Sequence, residues 1–276
     1  MCETNYNEKM NFSKLKNMYI FRIKLKNITP IHVGGNSEDS VTSKNPIMRV
    51  SENGNPFIPG STLKGLMRSA SERLAHLFFD REPCYLDGDK ACAPHKNVKI
   101  EEKIKEIEQK EDRKISEEKI YNLYYDELCP ICRTYGGGSI ASKVKFEHIV
   151  FPANTLTNIR EGIQIDRDTG TVKGNRFYTY EYILPNYEFE MVITAENMTE
   201  ENLKVLALAL AQLQGNQIRI GGMLARGLGQ IEFISGTVKI YDFSKKENKN
   251  AIIQTLLGKD TPTENKTLTE FLEKVL

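Results

Sequence analysis

The stretch FIPGSTLKGLMRSASERLAHL, residues 57–77, frames the interpretation of the whole chain. Pro59-Gly60 predicts a sharp turn. Ser61 follows where a helix N-cap is expected, because its hydroxyl can accept an early backbone N–H. Apolar residues then recur at helical spacing, at Leu63, Leu66, Met67, Leu74 and Leu77. The stretch therefore predicts an amphipathic helix that begins directly after a glycine turn.

Two cations in this helix suggest an anion site. Lys64 and Arg68 are four residues apart and share a face near the helix N-terminus, where the backbone dipole favours negative charge. A helix that begins after a glycine turn and carries such a pair is suited to hold phosphate. The alternative is an ordinary amphipathic helix whose Lys and Arg are solvated.

The bulk composition restricts the class of protein. The chain has 276 residues and a net charge of +1, so a nucleic-acid-binding surface has to be local. No apolar run approaches the roughly 18 residues that a membrane span needs. The polar N-terminus lacks the apolar core of a signal peptide, and we expect a cytoplasmic protein.

Cysteine spacing predicts a structural zinc site. Of the five cysteines, Cys2 stands alone near the N-terminus, and the others lie between positions 84 and 132. The candidate ligands are Cys84, Cys92, His95, Cys129 and Cys132. The Cys-x-x-His and Cys-x-x-Cys pairs each have the spacing for two ligands of a single tetrahedral zinc ion. Five candidates exist for four positions, so one of Cys84, Cys92 and His95 is expected to be spare. The alternative is a set of buried free thiols.

The order of elements predicts an α+β fold. Strands are expected at 18–28, 143–151, 187–194 and 230–243, and helices at 61–77 and 199–214, with Thr199 as the cap of the second. This order is the ferredoxin-like, or RRM-like, βαββαβ core. We divide the chain into a flexible arm (1–17), a domain (18–243) and a C-terminal tail with a short helix (244–276). The domain carries a zinc-binding insertion (80–140) and a thumb-like β-hairpin (152–186).

Several segments suit phosphate or RNA. The hairpin mixes Arg167 and Arg176 with aromatic residues, a composition that suits single-stranded nucleic acid. Four glycines surround Arg226 in residues 221–229, and we expect that packing alone does not account for them; they suit backbone N–H groups that face phosphate. The alternative for the hairpin is a plain exposed hairpin whose aromatic residues pack on the body. The first strand carries Arg22, Lys24 and Lys26 on one face, and this face suits either phosphate binding or simple solvation. The candidate RNA-binding residues are Gly34, Gly35, Ser61, Lys64, Arg68, Arg167, Arg176, Gly221, Gly222, Arg226 and Gly227.

Four motifs in order carry a resemblance to a known family. They are TPIHVGG (29–35), NP with IPGSTLKGLMR (45–46, 58–68), IDRDTGT (165–171), and GG with ARGLG (221–222, 225–229). The chain resembles the RAMP superfamily of CRISPR-associated proteins, most closely the backbone subunit of type III effector complexes. The resemblance implies a palm, a zinc-stabilised insertion, a thumb hairpin and an antiviral function. The implied partners are CRISPR guide RNA, complementary target RNA, other effector-complex subunits and copies of the same chain.

The resemblance leaves RNA cleavage open. Nuclease members of the family carry an Asp shortly before the Asn/Ser-Pro, where this chain has Lys44. Asp39, a few residues earlier, is a substitute candidate, with Mg²⁺ as a cofactor if the protein cleaves RNA. One rival hypothesis is a stand-alone CRISPR repeat-RNA processing endoribonuclease with His32 as general base. Another is a zinc-stabilised scaffold that binds no RNA.

Overall fold

The computed structural model describes residues 14–35, 45–84, 91–92, 98–111, 114, 116–138 and 140–276, and a few side chains within these ranges are not described. Cys2, Asp39, Lys44 and His95 lie outside the described residues, as does the side chain of Arg176. The strands are β1 (Asn17–Asn27), β2 (Phe57–Ile58), β3 (Val144–Phe146), β4 (Ile149–Val150), β5 (Thr157–Ile165), β6 (Val172–Ile183), β7 (Glu188–Glu196), β8 (Ile231–Asp242) and β9 (Glu264–Thr267). The helices are α1 (Gly60–Ala75), α2 (Val98–Glu111), α3 (Glu117–Asp126), α4 (Pro130–Tyr135), α5 (Glu200–Gln214), α6 (Lys249–Leu256) and α7 (Leu268–Val275).

The main sheet has the strand order β3-β7-β1-β8-β9. Its paired strands are all antiparallel. Strands β1, β3, β7 and β8, with helices α1 and α5, form the βαββαβ arrangement, and β9 extends the sheet beyond β8. The predicted α+β ferredoxin-like fold is therefore confirmed. No helix in the described part of the chain has both the length and the apolar character needed to cross a bilayer.

The apolar core lies between one face of the sheet and the helices. Phe21, Ile23 and Leu25 are fully buried on β1. They belong to the same core cluster as Leu63 of α1 and Leu210 of α5. Alternation along β1 thus places every second residue in the core, as period-2 geometry requires.

The opposite face of β1 carries cations that face carboxylates. Arg22 Nη1 lies 2.7 Å from Glu190 Oε2, and both side chains are largely exposed. Lys24 is paired in register with Glu190, and Lys26 with Glu188. This local charge compensation favours the solvated-face interpretation over a phosphate-binding stripe, since each cation has an acidic neighbour.

The start of α1 differs from the prediction. The helix begins at Gly60 with Pro59 as N-cap and no side-chain cap, so the expected Ser61 cap is wrong. The Gly60 N–H instead donates to His148 Nδ1 at 2.9 Å. A Cβ at Gly60 would lie 2.1 Å from the Phe146 carbonyl oxygen, so the turn requires glycine here.

The second core helix begins as predicted. Thr199 caps α5 by accepting the Asn202 N–H at 3.2 Å, and the Asn202 side chain accepts the Thr199 N–H in return. By contrast, the predicted strand 143–151 is interrupted. It divides into β3, which pairs with β7, and β4, which pairs with β2.

A buried lysine connects β3 to the helices. Lys143 is 1% exposed, and its Nζ donates to Asn202 Oδ1 at 2.7 Å. The ammonium also lies 5.1 Å from the centre of the Tyr125 ring. Burial lowers the pKa of Lys143 to about 8, against the opposing effect of Glu201. The charged form therefore persists here only at a desolvation cost.

Candidate metal centre and nucleic-acid interface

The four cysteines between positions 84 and 132 converge on one point. The sulfurs of Cys84, Cys92, Cys129 and Cys132 all lie within 4.8 Å of one another. Cys129 is the N-cap of α4, and Pro130 occupies its first position. This proline fixes the start of a short helix, so that Cys129 and Cys132 face the other two thiols across one turn.

Contacts between the sulfurs favour a thiolate at Cys129 and raise the pKa of the Cys92 and Cys132 thiols that donate to it. The Cys129 N–H lies 3.2 Å from Cys92 Sγ, and Cys84 Sγ lies 3.5 Å from Cys132 Sγ. Hydrogen bonds from the Cys132 and Cys92 thiols hold the pKa of Cys129 well below its usual range. All four side chains are free thiols with no disulfide.

The donor set fits a structural zinc ion. With Zn–S bonds of about 2.3 Å, a tetrahedral site places its sulfurs roughly 3.8 Å apart, close to the spacing of this cluster. Four thiols supply the number of ligands that a tetrahedral zinc ion needs, so His95 is not required as a ligand. Such a closed set would hold the insertion against the core and would leave no position for substrate chemistry.

Arg68 contacts the cysteine cluster and is not part of an exposed anion site. Its side chain is buried at 8% exposure, and its Nη2 donates to Cys132 Sγ at 3.2 Å. The Nη1 donates to the Gly136 carbonyl at 2.8 Å, and the Nε donates to Glu72 Oε1 at 2.8 Å. Since these contacts occupy the guanidinium, the expected role of Arg68 as an RNA contact does not fit its position.

The other two α1 candidates remain near the surface. Ser61 is exposed, and Lys64 is half-buried. Burial, followed by the nearby Arg68 charge, lowers the pKa of Lys64. Within the described residues, Lys64 Nζ has no hydrogen-bond partner. It is therefore a cation available to an anionic ligand.

A cleft lies between the hairpin and the glycine-rich loop. The Arg226 guanidinium sits over the Tyr178 ring, 4.7 Å from its centre. A cavity of about 410 Å³ opens beside this pair. Its lining residues are Arg160, Glu161, Gly162, Ile163, Tyr178, Tyr180 and Arg226. The cleft thus combines two cations with aromatic rings, the combination that suits phosphate and bases together.

Hairpin geometry presents the Tyr178 ring. Gly162 is paired with Tyr178 across β5 and β6, and a Cβ at Gly162 would lie 2.0 Å from the tyrosine ring. The Tyr178 and Tyr180 rings are stacked, with centres 6.3 Å apart. Glycine therefore lets the tyrosine lie across the neighbouring strand. The sequence predicts RNA-binding aromatic residues in the hairpin, Tyr178 among them, but not the pairing of Tyr178 with Arg226, which is distant in the chain.

The glycine-rich loop is held by close backbone contacts. A Cβ at Gly221 would lie 2.3 Å from the His32 carbonyl, and one at Gly229 would lie 2.4 Å from the Ile220 carbonyl. Gly35 approaches the Ile47 carbonyl oxygen in the same way, since an added Cβ would lie only 2.8 Å from it. Packing therefore accounts for part of the glycine pattern, which corrects the expectation that it could not. Gly227, by contrast, has a φ of +88° and open space around it.

His32 joins the loop to the hairpin. It is 6% exposed, and its Nδ1 donates to the Glu181 carbonyl at 2.6 Å. Its own carbonyl accepts the Gly222 N–H at 2.7 Å. Since a carbonyl only accepts, Nδ1 carries the proton, and Nε2 lies toward Gly34, where an added Cβ would be 3.5 Å away. These contacts give His32 a structural role beneath the cleft.

The remaining candidates lie at opposite ends of the hairpin. Gly34 and Gly222 are exposed beside His32. Arg167 is exposed in the turn of the hairpin, where Asp166 Oδ1 accepts the Asp168 N–H at 2.9 Å. Arg176 is in β6, with a side chain outside the described set. The structure therefore brings the glycine loop, Gly34 and the base of the hairpin together, and places Arg167 at the distal tip.

These features define a ferredoxin-like domain with a four-thiol cluster and a cationic, aromatic cleft. The sequence model of the RAMP superfamily matches residues 24–232, and the chain belongs to this family. The matched range contains α1, the cysteine cluster, the hairpin and Arg226. Membership supports a CRISPR-associated, RNA-binding role. A search of curated proteins found no match.

Proposed function

We propose that this protein is a guide-RNA-binding backbone subunit of a type III CRISPR antiviral effector complex. The observation that carries the proposal is the pairing of Arg226 with Tyr178 at the cleft between the glycine-rich loop and the hairpin. Both residues lie within the range that matches the RAMP superfamily. Family membership supports RNA as the ligand, and the residues of the cleft support it as the place where RNA binds.

The chemistry of the cleft suits a single RNA strand. A base can stack on the tyrosine or the guanidinium plane, an interaction worth about 1–3 kcal/mol per base. Arg160 and Arg226 then offer positive charge to the flanking phosphates. The exposed backbone at Gly222 and Gly227 allows the RNA chain to approach the loop closely.

Cleavage is not part of this proposal. His32 is almost fully buried and its Nδ1 is committed to the Glu181 carbonyl, so the geometry supports it as a structural residue and not as a general base. Asp39 lies outside the described residues. The proposed role is to bind guide RNA, pair it with complementary target RNA and assemble with other subunits.

The test is binding of purified protein to labelled single-stranded RNA across a salt series. Arg226→Ala and Tyr178→Leu should each weaken affinity by about 10-fold, since each removes a stacking or charge interaction. Arg226→Ala should also lower the slope of log affinity against log salt. Lys103→Ala is the matched control, because Lys103 is an exposed cation of α2 paired with Glu127.

Each result has a defined meaning. Unchanged affinity in both cleft variants would place the RNA elsewhere and overturn the proposed interface. Absence of binding by the wild type at low salt would favour the scaffold hypothesis. Recovery of cut RNA after incubation with the protein alone would favour the processing endoribonuclease.

A further inference from the structure

Arg68 occupies a special position between α1 and the cysteine cluster. Three of its nitrogens have separate acceptors: Glu72 Oε1, the Gly136 carbonyl and Cys132 Sγ. Gly136 is the C-cap of α4, and Cys132 lies inside the same helix. The guanidinium therefore spans from α1 to both a sulfur and the end of the helix that supplies two of the four thiols.

The charge of a loaded cluster makes this contact significant. Four thiolates around one divalent cation leave a net negative charge. Cys129 and Cys132 are buried at about 1% exposure, so this charge is poorly solvated. A buried anion needs a cation or several N–H donors nearby. Arg68 supplies both, and the partly exposed Glu72 carboxylate keeps its guanidinium in the required orientation.

We propose that Arg68 is the positioning residue of the metal centre: it offsets the charge of the thiolates, slows metal loss, and ties α1 to the bound metal. The helix that carries Lys64 is then held in place by the insertion as well as by the core. The metal part of this inference is independent of RNA. Any effect of the Arg68 contact on RNA binding through Lys64 rests on the proposed function.

The first experiment measures the rate of zinc release to a chromogenic chelator from the intact, zinc-loaded protein. Arg68→Met keeps the approximate length and apolar stem but removes charge and donors. It should release zinc about 10- to 100-fold faster, as is typical when a metal ligand is deprived of its hydrogen-bonded partner. Arg68→Lys retains the charge without the planar fork, and its rate should fall between the two.

Arg73→Met is the matched control because Arg73 is an exposed arginine of the same helix. It should release zinc at the wild-type rate. Wild-type release from Arg68→Met would overturn the inference. If Arg68→Met cannot be recovered folded, Glu72→Gln decides, since it loosens the orientation of the guanidinium while Arg68 remains. It should release zinc severalfold faster, and an unchanged rate would overturn the inference.

A second measurement separates this role from simple packing. Thermal unfolding is recorded for each variant with zinc and after chelation. If Arg68 acts through the metal, the gain in Tm on zinc binding shrinks in Arg68→Met. If Arg68 merely fastens α1 to Gly136, both forms lose the same amount and the inference fails. Neither measurement contains RNA, so either can fail without affecting the proposed interface.

Discussion

At the scale of single residues, Lys143 allows the effect of a buried charge on stability to be tested. Its ammonium is surrounded by Tyr125, Asn202, Glu201 and Arg133. Burial is the largest influence on its pKa, and the opposing charges of Glu201 and Arg133 modify it. The folded protein therefore gives up this proton at about pH 8, whereas an unfolded chain holds it up to 10.5.

The pH dependence follows from that difference. Between these two values the unfolded chain binds more protons than the folded one, so the free energy of unfolding increases as pH rises. The full effect is about 3 kcal/mol, of which about 2 kcal/mol falls between pH 8 and pH 10. Urea unfolding at pH 8 and pH 10 should show this contribution in wild type and lack it in Lys143→Met. Equal pH dependence in the two proteins would contradict the buried-charge interpretation.

Two residues of α1 show why single side chains are hard to assign from sequence. Lys64 and Arg68 are four apart, a spacing that predicts one shared anion-binding face. The cysteine insertion covers Arg68 and leaves Lys64 half-exposed. Helical spacing reports which residues neighbour each other on one helix, but not what packs against them. The contact to Cys132 depends on the folding of a distant segment.

At the scale of elements, the hairpin can be tested by shortening it. Residues 163–177 can be replaced by Asn-Gly, since Gly162 and Tyr178 are already paired and a two-residue turn can join them. The variant lacks Arg167, Lys173 and Arg176 but keeps Tyr178. Its stability should change by less than about 0.5 kcal/mol, because the removed β5 residues are exposed. Its salt slope for RNA should fall by about 0.7 for each phosphate that the removed cations neutralise in the wild type.

A second variant separates the loss of cations from the loss of the hairpin strands. The full-length variant Arg167→Ala/Lys173→Ala/Arg176→Ala removes the same cations but retains the strands. A similar fall in slope in both variants would assign the effect to charge. An unchanged slope in both would show that the distal tip does not contact phosphate.

Long periodic elements were predictable, and short or interrupted ones were not. The alternation of β1 and the caps and apolar spacing of α5 identified those elements correctly. The two-residue strands β2 and β4 were missed because their pairing involves segments far apart in sequence. The predicted strand 143–151 is too long for the same reason. After Phe146 the chain no longer pairs with β7, and β4 pairs with β2 instead.

At the scale of the whole molecule, the order of long elements was enough for the fold, since few topologies accommodate a βαββαβ sequence. It did not give the cleft. That site depends on the hairpin base meeting the glycine loop, which connects residues distant in sequence, such as Tyr178 and Arg226. The sequence motifs indicate the hairpin and the glycine-rich loop separately, and only the three-dimensional structure shows that the two segments meet.

The proposed assembly predicts how binding depends on RNA length. If copies stack along guide RNA, native mass spectrometry with progressively longer RNA should show complexes that grow in steps of 31.5 kDa. Arg226→Ala should reduce the occupancy of each step, since each copy uses the same cleft. A single bound copy on RNA of every length would contradict the backbone role.

The central place of β1 also bears on how the chain is made. Its two neighbours, β7 and β8, are translated long after it, so an apolar strand leaves the ribosome with neither partner available. Until then the nascent chain is exposed to aggregation and to chaperones. The four cysteines are all synthesised before either neighbour. If the cluster holds the expected zinc ion, its capture can precede closure of the sheet and give the growing polypeptide an early ordered unit.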